Sequence, residues 1–118
     1  MNNELQKMKF ILYHIDDEDV SVNALIQNET IWLTQKSMSS LFDVAENNIT
    51  YHLQNIYNTK ELEENRTTQK IRVVQKEGNR NVSREVNFYN LDAIISVGYR
   101  VNSRRATKFR IWATSILK

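Results

Sequence analysis

The sequence predicts an α+β fold. The expected form is a winged helix-turn-helix-like domain with an N-terminal β-hairpin, a central β-hairpin acting as the wing, and two C-terminal helices. Three observations predict it. β-prone runs fill residues 10–33, helical spacing of apolar residues takes over at 38–57, and strand alternation returns over 67–90 before two closing helices. The order strand, two helices, hairpin is that of a winged helix. No repeat, low-complexity segment or proline interrupts the chain, so residues 1–118 read as one continuous domain.

FILYHI (10–15) and VSVNALI (20–26) are rich in β-branched and aromatic residues, and the acidic stretch Asp16–Asp19 between them reads as a hairpin loop. IWL (31–33) follows the polar turn 27–30 as a third short strand. Met38, Leu41 and Phe42 then recur at i, i+3, i+4, and Ile49, Leu53, Ile56 and Tyr57 at i, i+4, i+7, i+8. These are two amphipathic helices with a break near Asp43–Ala45, the first with Thr34 as N-cap. Over 67–90, Ile71 and Val73 alternate with Lys70, Arg72 and Lys76, and Val82, Val86 and Phe88 do likewise on the second arm. Gly78, in KEGNRN, supplies a φ > 0 turn position, which makes this segment a β-hairpin. Leu91–Val101 and Ser103–Lys118 are the closing helices, with Asn90 and Ser103 as caps. The last has an apolar face of Phe109, Trp112, Ala113, Ile116 and Leu117 that runs to the end of the sequence. This arrangement is expected of the N-terminal part of a longer protein, or of a helix end that packs on a partner.

At 118 residues the chain is long enough for one core without covalent staples. No cysteine is present, which excludes disulfides and thiolate metal sites. The N-terminus lacks a signal-peptide pattern and no apolar run reaches the length of a bilayer span, so a cytoplasmic protein without membrane attachment is expected. The formal charge of +2 conceals a strong asymmetry. Residues 1–65 carry eleven acids against Lys7, Lys9, Lys36 and Lys60, whereas residues 66–118 carry twelve cations against Glu77, Glu85 and Asp92. From Tyr99 onward there are six cations and no acid. Such a distribution points to a polyanionic partner on one side of the molecule.

The strongest functional signal is TQKSMSSLFDVAENNITYHLQNIY (34–57). A helix-turn-helix needs a bracing helix and a second helix that enters the DNA major groove. Met38, Phe42, Val44 and Ile49 stand at the spacing that packs the two together. Glu46, Asn47, Asn48, Thr50, Tyr51 and Gln54 are left pointing outward. Asn and Gln bond adenine N6 and N7 together, and Thr reaches a base edge or a thymine methyl. Gln35 and Lys36 begin the first helix, where backbone N–H groups and charge hold a phosphate. Two features run against the motif: Asp43 stands where glycine is favoured, and Glu46 brings negative charge to the groove-entering end. Two further basic surfaces are candidates for phosphate. Arg72 and Lys76 share a face of the hairpin, with Arg80 near its tip, and Arg104, Arg105 and Lys108 lie on the last helix beside Arg100. Which of them meets nucleic acid is open. Arg110, nearer the apolar face, reads as structural.

His14 and His52 are isolated, the Asp16–Asp19 quartet lacks calcium-loop spacing, and no nucleotide, zinc or nucleophile motif is present. No enzyme, cofactor or metal is therefore expected.

The strings ETIWLTQKSMSSLFDV (29–44), YNLDAIISVGYRVNSRR (89–105) and FRIWAT (109–114) closely resemble the N-terminal region of the RhuM family of bacterial virulence-associated proteins. More distantly, SRRATKFRIWATSIL (103–117) is similar to the close of the Bro-N domain of viral and phage proteins. The resemblance implies a DNA-binding domain bearing a helix-turn-helix, followed in the family by a further C-terminal region, and it implies no catalytic residue. Members commonly read G-V-D-R-S-T-I-S-R-H-I across the turn and second helix, where this chain reads DVAENNITYHL. Ala45 replaces the capping Asp, and Glu46 and Tyr51 replace two arginines, so contacts made through those arginines do not carry over.

The expectation is a sequence-dependent double-stranded DNA-binding domain, a transcriptional regulator or a phage- or virulence-associated module, working as a homodimer. The alternative is a protein-interaction module in a toxin or phage-defence assembly, its partner held through the C-terminal helix.

Overall fold

The computed structural model describes residues 8–15, 18–27 and 30–116, and it is α+β, an antiparallel five-stranded sheet with five helices. Strands β1 (Met8–Ile15) and β2 (Glu18–Gln27) form the first hairpin and β3 (Thr30–Leu33) follows. Next come α1 (Gln35–Phe42), α2 (Glu46–Asn58) and the single turn α3 (Glu64–Thr67). The second hairpin, β4 (Thr68–Glu77) and β5 (Arg80–Asn90), leads into α4 (Leu91–Arg100) and α5 (Arg104–Ile116).

The sheet runs β1-β2-β3-β5-β4, so the chain leaves it after β3, builds three helices, and returns. Only Trp32↔Asn90 and Leu33↔Tyr89 join β3 to β5. The predicted central hairpin is therefore an arm of one larger sheet. Its residues pair from Thr68↔Tyr89 to Glu77↔Arg80 across a two-residue turn, with Gly78 at φ 63°. One prediction needs correction: Asp16–Asp19 is not a four-residue loop, because Glu18 and Asp19 already pair with Ile15 and His14 in the β1–β2 ladder. Residues 16–17 lie outside those described. The end of the predicted last helix, 117–118, does so too.

The main core lies between the sheet and the helices. Leu33, Met38, Phe42, Ile49, Ile56, Ile94 and Val97 are almost wholly buried, each stabilising by about 1.5–3 kcal/mol relative to exposure. Phe42 meets Phe109 edge-on at 5.1 Å between ring centres, which clamps α1 against α5. Gly98 lies beneath this pair; a Cβ there would come within 3.0 Å of Phe42 and of Phe109. Helices α4 and α5 cross this closely because the position carries no side chain. A second, smaller cluster of Leu25, Trp32, Ile71 and Phe88 fixes the base of the hairpin to the sheet.

Candidate nucleic-acid interface

Local chemistry sets each helix of the pair. Thr34 accepts a hydrogen bond from the Ser37 amide at 3.0 Å and caps α1. At the other end Asp43 takes the left-handed conformation, φ 58° and ψ 51°, and its amide bonds back to Ser39 O. Aspartate tolerates this conformation better than most residues, so the turn closes without glycine. The start of α2 is different. Ala45 sits at its N-cap and offers no side-chain acceptor.

Ile49, Leu53 and Ile56 are the buried face of α2. The opposite face carries Asn47, Asn48, Tyr51, Gln54 and Asn58, all exposed, with Tyr51 at 62%. Asn47, Tyr51, Gln54 and Asn58 follow one another at helical spacing as a single neutral polar stripe. Asn58 extends the stripe that sequence reasoning stopped at Gln54; adding one more i+4 step would have found it. Among the described residues no hydrogen bond engages the side-chain amides of Asn47, Asn48, Gln54 or Asn58.

Thr50 and Gln35 are placed otherwise. Thr50 Oγ1 donates to Gln35 Oε1 at 2.5 Å, and Gln35 Nε2 donates to the Tyr89 hydroxyl at 3.0 Å. This relay ties α2 to α1 and to β5. Burial holds the Tyr89 phenol above its ordinary range, with the Gln35 bond opposing it. Both side chains have their hydrogen-bonding capacity directed inward, while Lys36 is exposed on α1. Within 34–58, Lys36 is the one cation against the acids Asp43 and Glu46, so the helix pair carries no positive excess of its own.

Positive charge comes from the elements bracketing the pair. Beyond the C-terminal part of α2, the Tyr57 hydroxyl bonds Thr67 Oγ1 at 2.8 Å, which in turn donates to Glu63 O. This joins α2 to the base of the hairpin. The register puts Lys70, Arg72, Val74 and Lys76 on one hairpin face, opposite Asn87, Glu85, Ser83 and Asn81. All eight are exposed, and Arg72 lies 3.5 Å from Glu85. Arg80, at the tip, belongs to the other face, across from Glu77.

At the other end, α5 abuts the turn between α1 and α2. Ser103 Oγ donates to Phe42 O at 2.7 Å and accepts from the Ala106 amide, so it caps α5 and closes α1 together. Arg105 donates to Ser40 O at 2.8 Å. Both acceptors are carbonyls past the reach of α1's own amides. Arg110 does the same for α4, donating to Gly98 O at 2.8 Å and Val101 O at 3.2 Å. Arg100 bonds Glu61 Oε1 at 2.6 Å, and Ser96 bonds the other oxygen of that carboxylate. These two bonds hold the Glu61 carboxyl below its ordinary range. Arg104 is exposed and Lys108 half-buried one turn along. Of the acid-free run, then, three arginines close helix ends or join helices. His52, half-buried beside Arg100, is held below the usual imidazole range first by burial and then by that charge.

Among the described residues no group of acids and histidines could hold a metal, and no helix is long and apolar enough to cross a membrane. Neither a curated protein nor a solved structure matches the chain. The model of the Virulence protein RhuM family matches residues 66–118, from the end of α3 through the hairpin and both closing helices. That match makes the second part of the chain, residues 66–118, similar to the RhuM family.

Proposed function

We propose that this domain binds double-stranded DNA in a sequence-dependent manner, as a winged helix-turn-helix-like module of a regulator or of a virulence- or phage-associated assembly, and that it acts by binding alone. The observation that carries the reading is α2: an exposed, neutral polar helix face, braced by a capped α1, with the basic hairpin joined to its C-terminal part and basic α5 against the end of α1. The neutral face suits base edges, and the flanking cations suit phosphates, which supply affinity without sequence information. The order β3, α1, α2, hairpin, with β3 next to β5, supports treating β4–β5 as a wing. Lys70, Arg72 and Lys76 then anchor one phosphate run, and Arg104 with Lys108 a second. A homodimer would present two copies of α2 to a repeated site.

The test is duplex titration by fluorescence anisotropy across salt concentrations. Phosphate anchoring predicts log K falling linearly with log [salt], with a slope close to the number of contacts. A flat line ends the proposal. A second reading, a protein-interaction module, is favoured by Tyr99 and Ile111, which are 56% and 61% exposed on α4 and α5. A protein partner retained after nuclease treatment, and lost with Ile111→Glu, would select it.

A further inference from the structure

We infer that the DNA this domain prefers is read at adenines: two A·T pairs about three base pairs apart, held in the major groove by Asn47 and by Gln54. The inference rests on the DNA-binding reading above and specifies its ligand. Within the major groove, guanine is recognised chiefly by a charged donor fork on O6 and N7, whereas adenine, with one acceptor and one donor, matches a side-chain amide. Helix α2 holds no arginine or lysine anywhere from Glu46 to Asn58, so it has no guanine fork. It does hold amides at 47, 48, 54 and 58, exposed and unengaged among the described residues.

Neighbouring contacts narrow the reading set. Thr50 donates its proton to Gln35, so its hydroxyl has no hydrogen left for a base acceptor between Asn47 and Gln54. Tyr51 stands between them on the same stripe, exposed, its ring centre 5.4 Å from that of His52 in an edge-on pair. An aromatic face there meets a thymine methyl, again the mark of an A·T pair. Glu46, in the first turn, accepts from adenine N6 or cytosine N4 and repels guanine O6 and N7, so it adds no guanine reader. From residue 47 to residue 54 a helix rises about 10 Å, which equals roughly three base-pair steps. The two amide readers are thus spaced to address positions one and four of a short site.

The experiment is selection of bound duplexes from a random library, followed by affinity measurement on the best site. Expected is enrichment of A·T pairs at two positions about three steps apart, with roughly tenfold weaker binding when either is changed to G·C. Replacing those adenines by 7-deazaadenine, which lacks only the major-groove acceptor, should weaken binding similarly. Asn47→Ala with Gln54→Ala should flatten the preference while leaving salt-dependent binding to any duplex. Enrichment of G·C pairs, or no enrichment with binding intact, overturns the inference and leaves the DNA-binding reading standing. An A·T preference that survives both the deaza substitution and the double variant also overturns it, because the reading then lies in minor-groove shape. No duplex binding at any salt overturns both.

Discussion

In the hairpin, Arg72 and Arg84 reach across the strand pair toward Glu85 and Glu77 while their side chains stay 62% and 52% exposed. In the closing helices, Arg105 and Arg110 turn instead to backbone carbonyls at the ends of α1 and α4. Two stretches of similar composition are therefore used differently. An exposed ion pair is worth about 0–1 kcal/mol and is readily given up to a phosphate, whereas a guanidinium serving orphan helix carbonyls is held by the fold. Counting cations along the chain does not separate the two uses. Counting their acceptors does.

That contrast is broken most severely at Gly98, whose carbonyl is an Arg110 acceptor and whose Cα lies under two rings. Gly98→Val should destabilise by about 3 kcal/mol, measured by urea unfolding, because Phe42 and Phe109 must both move. Arg110→Ala should cost about 2 kcal/mol by the same measurement, having left two half-buried carbonyls without their donor. If it leaves stability unchanged, the distinction between the two stretches fails.

Smaller effects follow from pH. His52 is depressed in the folded state, so the unfolded chain takes up its proton first; stability is complete above the ordinary 6.5 and declines as pH falls below it. Glu61 is also depressed, so its contribution is present above 4.5 and is lost as pH falls through the lower folded value. Both effects are small, because solvent screens these partly exposed groups. His52→Gln should remove the upper part of the decline and Glu61→Gln the lower, read from unfolding midpoints over a pH series. Arg72→Ala and Lys76→Ala should move stability by less than about 0.5 kcal/mol, yet each should lower the DNA salt slope by about one. Equal loss of stability and slope would make the hairpin cations structural as well.

Local chemistry was well written in the sequence. Thr34, Asn90 and Ser103 act as the caps their side chains predict, Gly78 takes positive φ, and Asp43 leaves α1 through the left-handed region. Most of the outward face of α2 was equally legible, because one period decides which residues are buried, but Thr50, expected outward, turns to Gln35. Contacts distant in sequence were not. Nothing near Gln35 signals that it bridges Thr50 to Tyr89, nothing near Arg105 signals a carbonyl on α1, and α3 is too short to show a period. Lys70 escaped selection although strand alternation places it beside Arg72.

The two rungs between β3 and β5 have a kinetic consequence. Both hairpins zip from local turns, but Trp32↔Asn90 and Leu33↔Tyr89 close a loop of about 55 residues around the three intervening helices. If that closure has to come before its contacts are rewarded, it limits the folding rate. Trimming Leu33 or Tyr89 should slow refolding more than it speeds unfolding, whereas changes along the outer hairpin should do the reverse. The meeting of early and late segments, at these rungs and where α5 closes on α1, then governs how fast this chain becomes a protein.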